Sequence, residues 1–167
     1  MLFRSVTVVE HQYLVTEKSS RVPANLPSLR DPDSNFYLKP EPGALAIGGW
    51  ERNTVACGET GKIAMSFGQE LYPENHERLS EIALPAAKRI PLLNELGIRS
   101  VINGPIPISA DGEPVMGKPA EFDNMFAACG FTSGIAASGG AGMAMANWIH
   151  EGDPRSEEHT SELQSQF

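Results

Sequence analysis

Residues 124–148 read N-M-F-A-A-C-G-F-T-S-G-I-A-A-S-G-G-A-G-M-A-M-A-N-W, and the change of character inside this stretch organises the reading of the whole chain. Met125 to Cys129 is an apolar run of strand length, and Gly130 ends it. Small residues then take over. Thr132 or Ser133 is placed to cap a helix N-terminus, while Gly152 followed by Pro154 is placed to end it. Strand, tight glycine turn and helix in succession bring free backbone N–H groups and the positive end of a helix dipole together, an arrangement suited to an anionic group. Gly139, Gly140 and Gly142 weaken a helix, so their presence points to close approach by another backbone or a flat cofactor. The alternative is a buried helix packed on a sheet, with the glycines serving only that packing.

The two ends read differently from the rest. Arg155 to Ser165 resembles the in-frame translation of a common sequencing-adapter oligonucleotide, and Met1 to Ser5 resembles the translation of its reverse-complement counterpart. Residues 1–5 and 155–167 are therefore expected to be non-native and without packed structure, and the natural chain to continue beyond both. What lies between has the length of one domain and enough apolar residues, 41% of the whole sequence, for a core. A formal net charge of -8 argues against nucleic acid and anionic membrane as partners. Cys57 and Cys129 show no C-x-x-C spacing, which fits a reducing compartment or simple burial. No apolar run approaches the length of a membrane span. The adapter-like start hides any signal peptide, so localisation, cytoplasmic or mitochondrial matrix, is only weakly bounded.

Working outward from the opening stretch, Val6 to Glu17 is rich in β-branched and aromatic residues and predicts one or two strands with a break near Glu10–His11. Three prolines in Lys18 to Asp33 predict a surface loop. Asn35–Lys39 and Ala44–Trp50 flank Glu41-Pro42-Gly43 and predict a β-hairpin. Asn53 to Gln69 carries mixed signals. Glu74 to Leu96 has helical spacing, broken at Pro85 and Pro91 and stopped by Gly97. Ile98 to Ser109 predicts a strand, and Asp111-Gly112 a turn before Val115-Met116-Gly117. Strands first, helices in the middle, then strand and helix make an α+β piece.

Several chemistries drop out. Gly58 to Lys62 imitates a phosphate loop, but Ala56 and Ile63 stand where glycine and Ser or Thr are needed. Gly140-Ala-Gly142 lacks the third glycine at Met145 and lies within a helix. His11, His76 and His150 have no ligand spacing, so no metal is expected. No G-x-S-x-G elbow occurs. His11 and Tyr13 on one strand, Tyr37 on another, and the glycine turn remain; a lone strand histidine is commonly structural.

Read together, five ordered motifs change that picture: H-Q-Y-L-V-T-E at His11, L-P-S-L-R-D-P-D at Leu26, F-Y-L-K-P-E-P-G-A-L-A-I-G-G-W-E at Phe36, N-G-P-I-P-I-S-A-D-G-E-P-V-M-G at Asn103, and G-F-T-S-G-I-A-A-S-G-G-A-G at Gly130. They resemble the FAD-dependent dimethylglycine and sarcosine dehydrogenases of the D-amino-acid-oxidase-like superfamily. The resemblance covers nearly all of residues 6–154 and implies the second half of that family's FAD-dependent portion. The implied fold is α+β and partial: an antiparallel substrate-binding sheet with flanking helices, then the C-terminal strand-turn-helix of an FAD-binding domain. The dinucleotide-binding half and a folate-binding C-terminal region would lie outside the chain, so the cofactors implied are FAD and, in the complete protein, tetrahydrofolate. The partner implied is a small N-methylated amino acid. By the same resemblance His11 and Tyr37 are the substrate-site histidine and tyrosine, and Gly130, Phe131, Thr132, Ser133, Gly134, Ile135 and Ala136 lie under the flavin ring. Hydride would leave a C–H bond beside the amine nitrogen, and the iminium product would be hydrolysed or captured by folate. Leu38 and Ile108-Ser109 depart from common family forms, which bears on substrate choice. Two further readings stay open: an oxygen-using glycine or sarcosine oxidase of the same superfamily, and a subunit that keeps the fold for binding or assembly without turnover.

Overall fold

The computed structural model describes residues 6–58, 63–119 and 122–152. The terminal stretches 1–5 and 155–167, and Pro154, lie outside the described residues. The chain divides into two compact units, one formed by Val9–Ile106 and the other by the residues before and after it.

A five-stranded sheet runs in the order β2-β3-β4-β1-β5. Its strands are β1 (Val6–Thr16), β2 (Leu29–Asp31), β3 (Phe36–Glu41), β4 (Ala44–Gly49) and β5 (Ile98–Ser109). The β3–β4 hairpin forms as its sequence predicts, with Gly43 at the turn in the left-handed region (φ 73) that favours glycine. Two expectations are corrected. First, β1 runs without a break at Glu10–His11, because each polar side chain finds a partner on its own face: Glu10 pairs with Arg78 and accepts from Asn103 Nδ2 at 2.9 Å, and His11 meets Glu51. Val9 and Glu10 also pair with the Val55–Ala56 backbone. Second, the proline-rich segment holds strand β2, in register with β3 through Leu29↔Leu38, Arg30↔Tyr37 and Asp31↔Phe36.

One face of the sheet is the core. Leu14, Ile47 and Leu38 lie in one registered row there, joined by Phe36, Leu45 and Val101. Helix α1 (His76–Arg89) covers this face with Leu79, Ile82 and Ala86. Its N-cap is Asn75, whose side chain accepts from Arg78 N. The expected break at Pro85 does not occur. Proline inside a helix costs about 3 kcal/mol, and burial of Leu79 and Ile82 in the turns before it, roughly 1.5–3 kcal/mol each, with Ala86 buried just after it, is large enough to hold the helix through it. The helix does end before Pro91, where a single 3-10 turn (Pro91–Asn94) follows.

In the second unit, β6 (Val115–Gly117) and β7 (Ala127–Cys129) pair as an antiparallel ribbon. The expected strand Met125–Cys129 is thus trimmed to its last three residues, those that find backbone partners. Gly130 follows with φ 74. A Cβ there would stand 3.5–3.9 Å from Val6, Ser109 and Val115, so conformation rather than crowding calls for glycine. Helix α2 (Gly134–Glu151) ends on Gly152 in the left-handed conformation (φ 78), as its sequence predicts. No residue of α2 is buried, so among the described residues α2 is not the buried, sheet-packed helix of the alternative reading. A Cβ at Gly139, Gly140 or Gly142 would meet nothing within 4 Å, so among the described residues none makes the close approach that those glycines led us to expect.

Candidate functional site

The sheet face opposite α1 carries the polar residues singled out in the sequence. Register runs Arg30↔Tyr37 between β2 and β3, Tyr37↔Gly48 between β3 and β4, and Gly48↔Tyr13 between β4 and β1. Registered partners point the same way, and so do residues two apart on a strand. His11, Tyr13 and Tyr37 therefore share one face, with His11 and Tyr37 on strands separated by β4. The absence of a side chain at Gly48 makes this possible: a Cβ there would lie 2.3 Å from the Tyr37 hydroxyl and 2.4 Å from its Cζ. The Tyr37 ring lies across Gly48, in the space a side chain would fill. Val15, Ala44 and Ala46, with Ile102, complete an apolar floor beside Tyr13.

His11 is held at the rim. Its Nδ1 lies 3.2 Å from Glu51 Oε2, and its ring meets Trp50 at 4.7 Å between centroids. Glu51 is a buried carboxylate, with its side chain wholly inaccessible, and its other oxygen accepts from Gln12 Nε2 at 3.2 Å. Burial pushes its carboxyl pKa up, but the hydrogen bonds from His11 and Gln12 and the histidine's charge outweigh this, and it falls below the ordinary carboxylate value. Tyr37 moves up, first through burial and then through Tyr13 and Glu51, so its phenol stays protonated as a donor. Glu51 and Gln12 escaped the reading of the sequence as site residues. The signal was a glutamate ending the apolar strand in G-G-W-E, where a solvent-facing residue would be the ordinary expectation.

The second predicted group, Gly130 to Ala136, forms the turn into α2. Ser133 occupies the N-cap position, but its side chain makes no capping bond, because its ψ of 49 departs from the extended conformation that aims a cap at the helix amides. The first amides of α2 thus lack a side-chain cap, and Ile135 is 98% exposed. This turn fits the anionic side of a flat cofactor: uncapped amides, a glycine at the strand end and an open glycine-lined helix surface. Among the described residues no group of three or more His, Cys, Asp or Glu is placed to hold a metal ion. No helix among them is long and apolar enough to cross a membrane. A groove of about 1240 Å3, lined by charges such as Arg52, Lys88 and Arg89, contains neither His11 nor Tyr37.

Comparison with known proteins gives first the class. The profile of the family described as FAD dependent oxidoreductase matches residues 2–148, and the chain belongs to that family. Within it, the chain is 33% identical over 155 residues to the mitochondrial sarcosine dehydrogenase of Homo sapiens, covering 92% of this chain and 16% of the relative. It is 35% identical over 153 residues to the mitochondrial dimethylglycine dehydrogenase of Homo sapiens, covering 87% and 18%. The chain thus spans less than a fifth of the length of these relatives. Its fold matches the L-proline dehydrogenase of P.horikoshii with a TM-score of 0.69 at 22% identity, over 92% of this chain and 38% of that one.

Proposed function

We propose that this chain is the substrate-facing part of a flavin-dependent amine oxidoreductase acting on a small N-methylated amino acid such as sarcosine or dimethylglycine. The observation that carries the reading is the convergence of His11, Tyr13 and Tyr37 on the one sheet face that α1 leaves uncovered. Bound FAD supplies the acceptor for a hydride from the C–H bond beside the substrate nitrogen. The protonated phenol of Tyr37 donates a hydrogen bond to the substrate carboxylate. His11 keeps the substrate nitrogen unprotonated, so that its lone pair is available to assist C–H cleavage. The amides at Gly130 to Ala136 meet the electron-rich side of the flavin, where a helix N-terminus favours negative charge.

In the same reading, residues 6–154 form the second half of the flavin domain, and an upstream segment holds the adenosine end of FAD. A downstream segment binds tetrahydrofolate, which takes up the one-carbon unit, and the complete protein works in the mitochondrial matrix or the cytoplasm. The test uses the flavin-loaded protein. His11→Gln and Tyr37→Phe should each raise the half-saturating substrate concentration for anaerobic flavin reduction by about tenfold or more, the scale of a lost hydrogen bond to a charged group. Reduction with wild-type rate and half-saturation in both variants would overturn the reading.

A further inference from the structure

We infer that Glu51 is the positioning residue for His11: held from behind by Gln12, its carboxylate fixes the imidazole with hydrogen on Nδ1 and leaves Nε2 as the acceptor toward the open sheet face. The inference rests on the reading of His11 as a substrate-site residue, and deepens it.

A chain of hydrogen bonds orients each group in turn. The backbone N–H of Asn75 donates to Gln12 Oε1 at 2.8 Å, which settles which end of the Gln12 amide is oxygen. Gln12 Nε2 must then donate, and it does so to Asn75 O and to Glu51 Oε1, both at 3.2 Å. Gln12 is wholly buried and the Glu51 side chain inaccessible, so water does not compete for either. The remaining oxygen, Glu51 Oε2, faces His11 Nδ1. An ionised carboxylate can only accept, so Nδ1 carries the hydrogen and Nε2 bears the lone pair.

The charge itself is the second argument. A buried carboxylate is costly, and Gln12 alone would be served equally well by a neutral amide at residue 51. Ionisation is repaid where the facing imidazole gains a proton, because the pair then becomes an ion pair at 3.2 Å. When a substrate ammonium passes its proton to His11 Nε2, the N–H bond of the substrate breaks, an N–H bond forms on the imidazole, and Glu51 stabilises the resulting cation. Glu51→Gln reverses the arrangement: its oxygen must serve Gln12, so its amide nitrogen donates to Nδ1 and the free hydrogen moves to Nε2.

In the flavin-loaded protein, Glu51→Gln should slow anaerobic flavin reduction by about tenfold or more while flavin content is kept, and should add no further loss when His11 is already Gln. An equal fold-loss in both backgrounds, or no loss in either, overturns the inference. A slow His11→Gln variant beside an unimpaired Glu51→Gln variant removes the role of Glu51 alone. An unimpaired His11→Gln variant removes the underlying reading of His11, and the inference with it. If Glu51→Gln loses its flavin, the nitrogen-15 shifts of neutral His11 in the unaltered protein decide the matter: a protonated Nδ1 and bare Nε2 support the inference, and a protonated Nε2 overturns it.

Discussion

Gly48 and Gly49 sit side by side at the end of β4 and exclude a side chain for different reasons. At Gly48 the clashing atoms belong to the Tyr37 ring, whereas at Gly49 a Cβ would lie 2.2 Å from the backbone oxygen of Asn35. Ring atoms can rotate away; backbone cannot without moving β3. Gly49→Ala should therefore destabilise the fold more than Gly48→Ala, which itself should cost about 1–3 kcal/mol, as overpacking does. Gly48→Ala should instead show its main effect in the environment of Tyr37. Denaturant unfolding of both variants, with tyrosine fluorescence, checks the order. At this scale the shared sheet face of His11 and Tyr37 was legible, because the strand and hairpin signals around them are local. Glu51 was not, since its role comes from Gln12, a partner 39 positions away in sequence, and from the backbone of Asn75, which orients the Gln12 amide.

Helix α1 illustrates where elements resist local reading. Its start is written in Asn75, and its end before Pro91, but Pro85 signals a break that the packing of neighbouring turns overrides. That packing is unequal around the helix: Ile82 is 1% exposed and Leu84 69%. Ile82→Ala should lose about 2–5 kcal/mol of stability, as buried truncations do. Leu84→Ala should stay within about 0.5 kcal/mol of the parent, as exposed substitutions do. Similar losses in chemical denaturation would mean that α1 does not lie on the sheet as described. For α2 the glycine stop at Gly152 was legible, whereas the missing capping bond at Ser133 and the degree of burial were not. Its small residues read equally well as a core helix, and only the structure distinguishes them, leaving Ile135, Met143 and Ile149 exposed.

Across the whole molecule, the order of elements and the α+β class were legible because hydrophobic period and turn residues are local signals. Strand β2 was not: three residues among prolines acquire strand character only through register with β3. Under the proposed function this chain is one part of a flavin enzyme, whose sheet face would receive substrate and whose turn at Gly130 would meet the cofactor. On that basis the chain alone should be colourless, and the protein that also carries the upstream half yellow. The most direct measurement is the visible spectrum of that longer protein under anaerobic conditions, before and after addition of sarcosine, dimethylglycine or, as control, glycine. The account predicts loss of the flavin absorbance with the N-methylated compounds and not with glycine; an unchanged flavin spectrum with both sarcosine and dimethylglycine would contradict it.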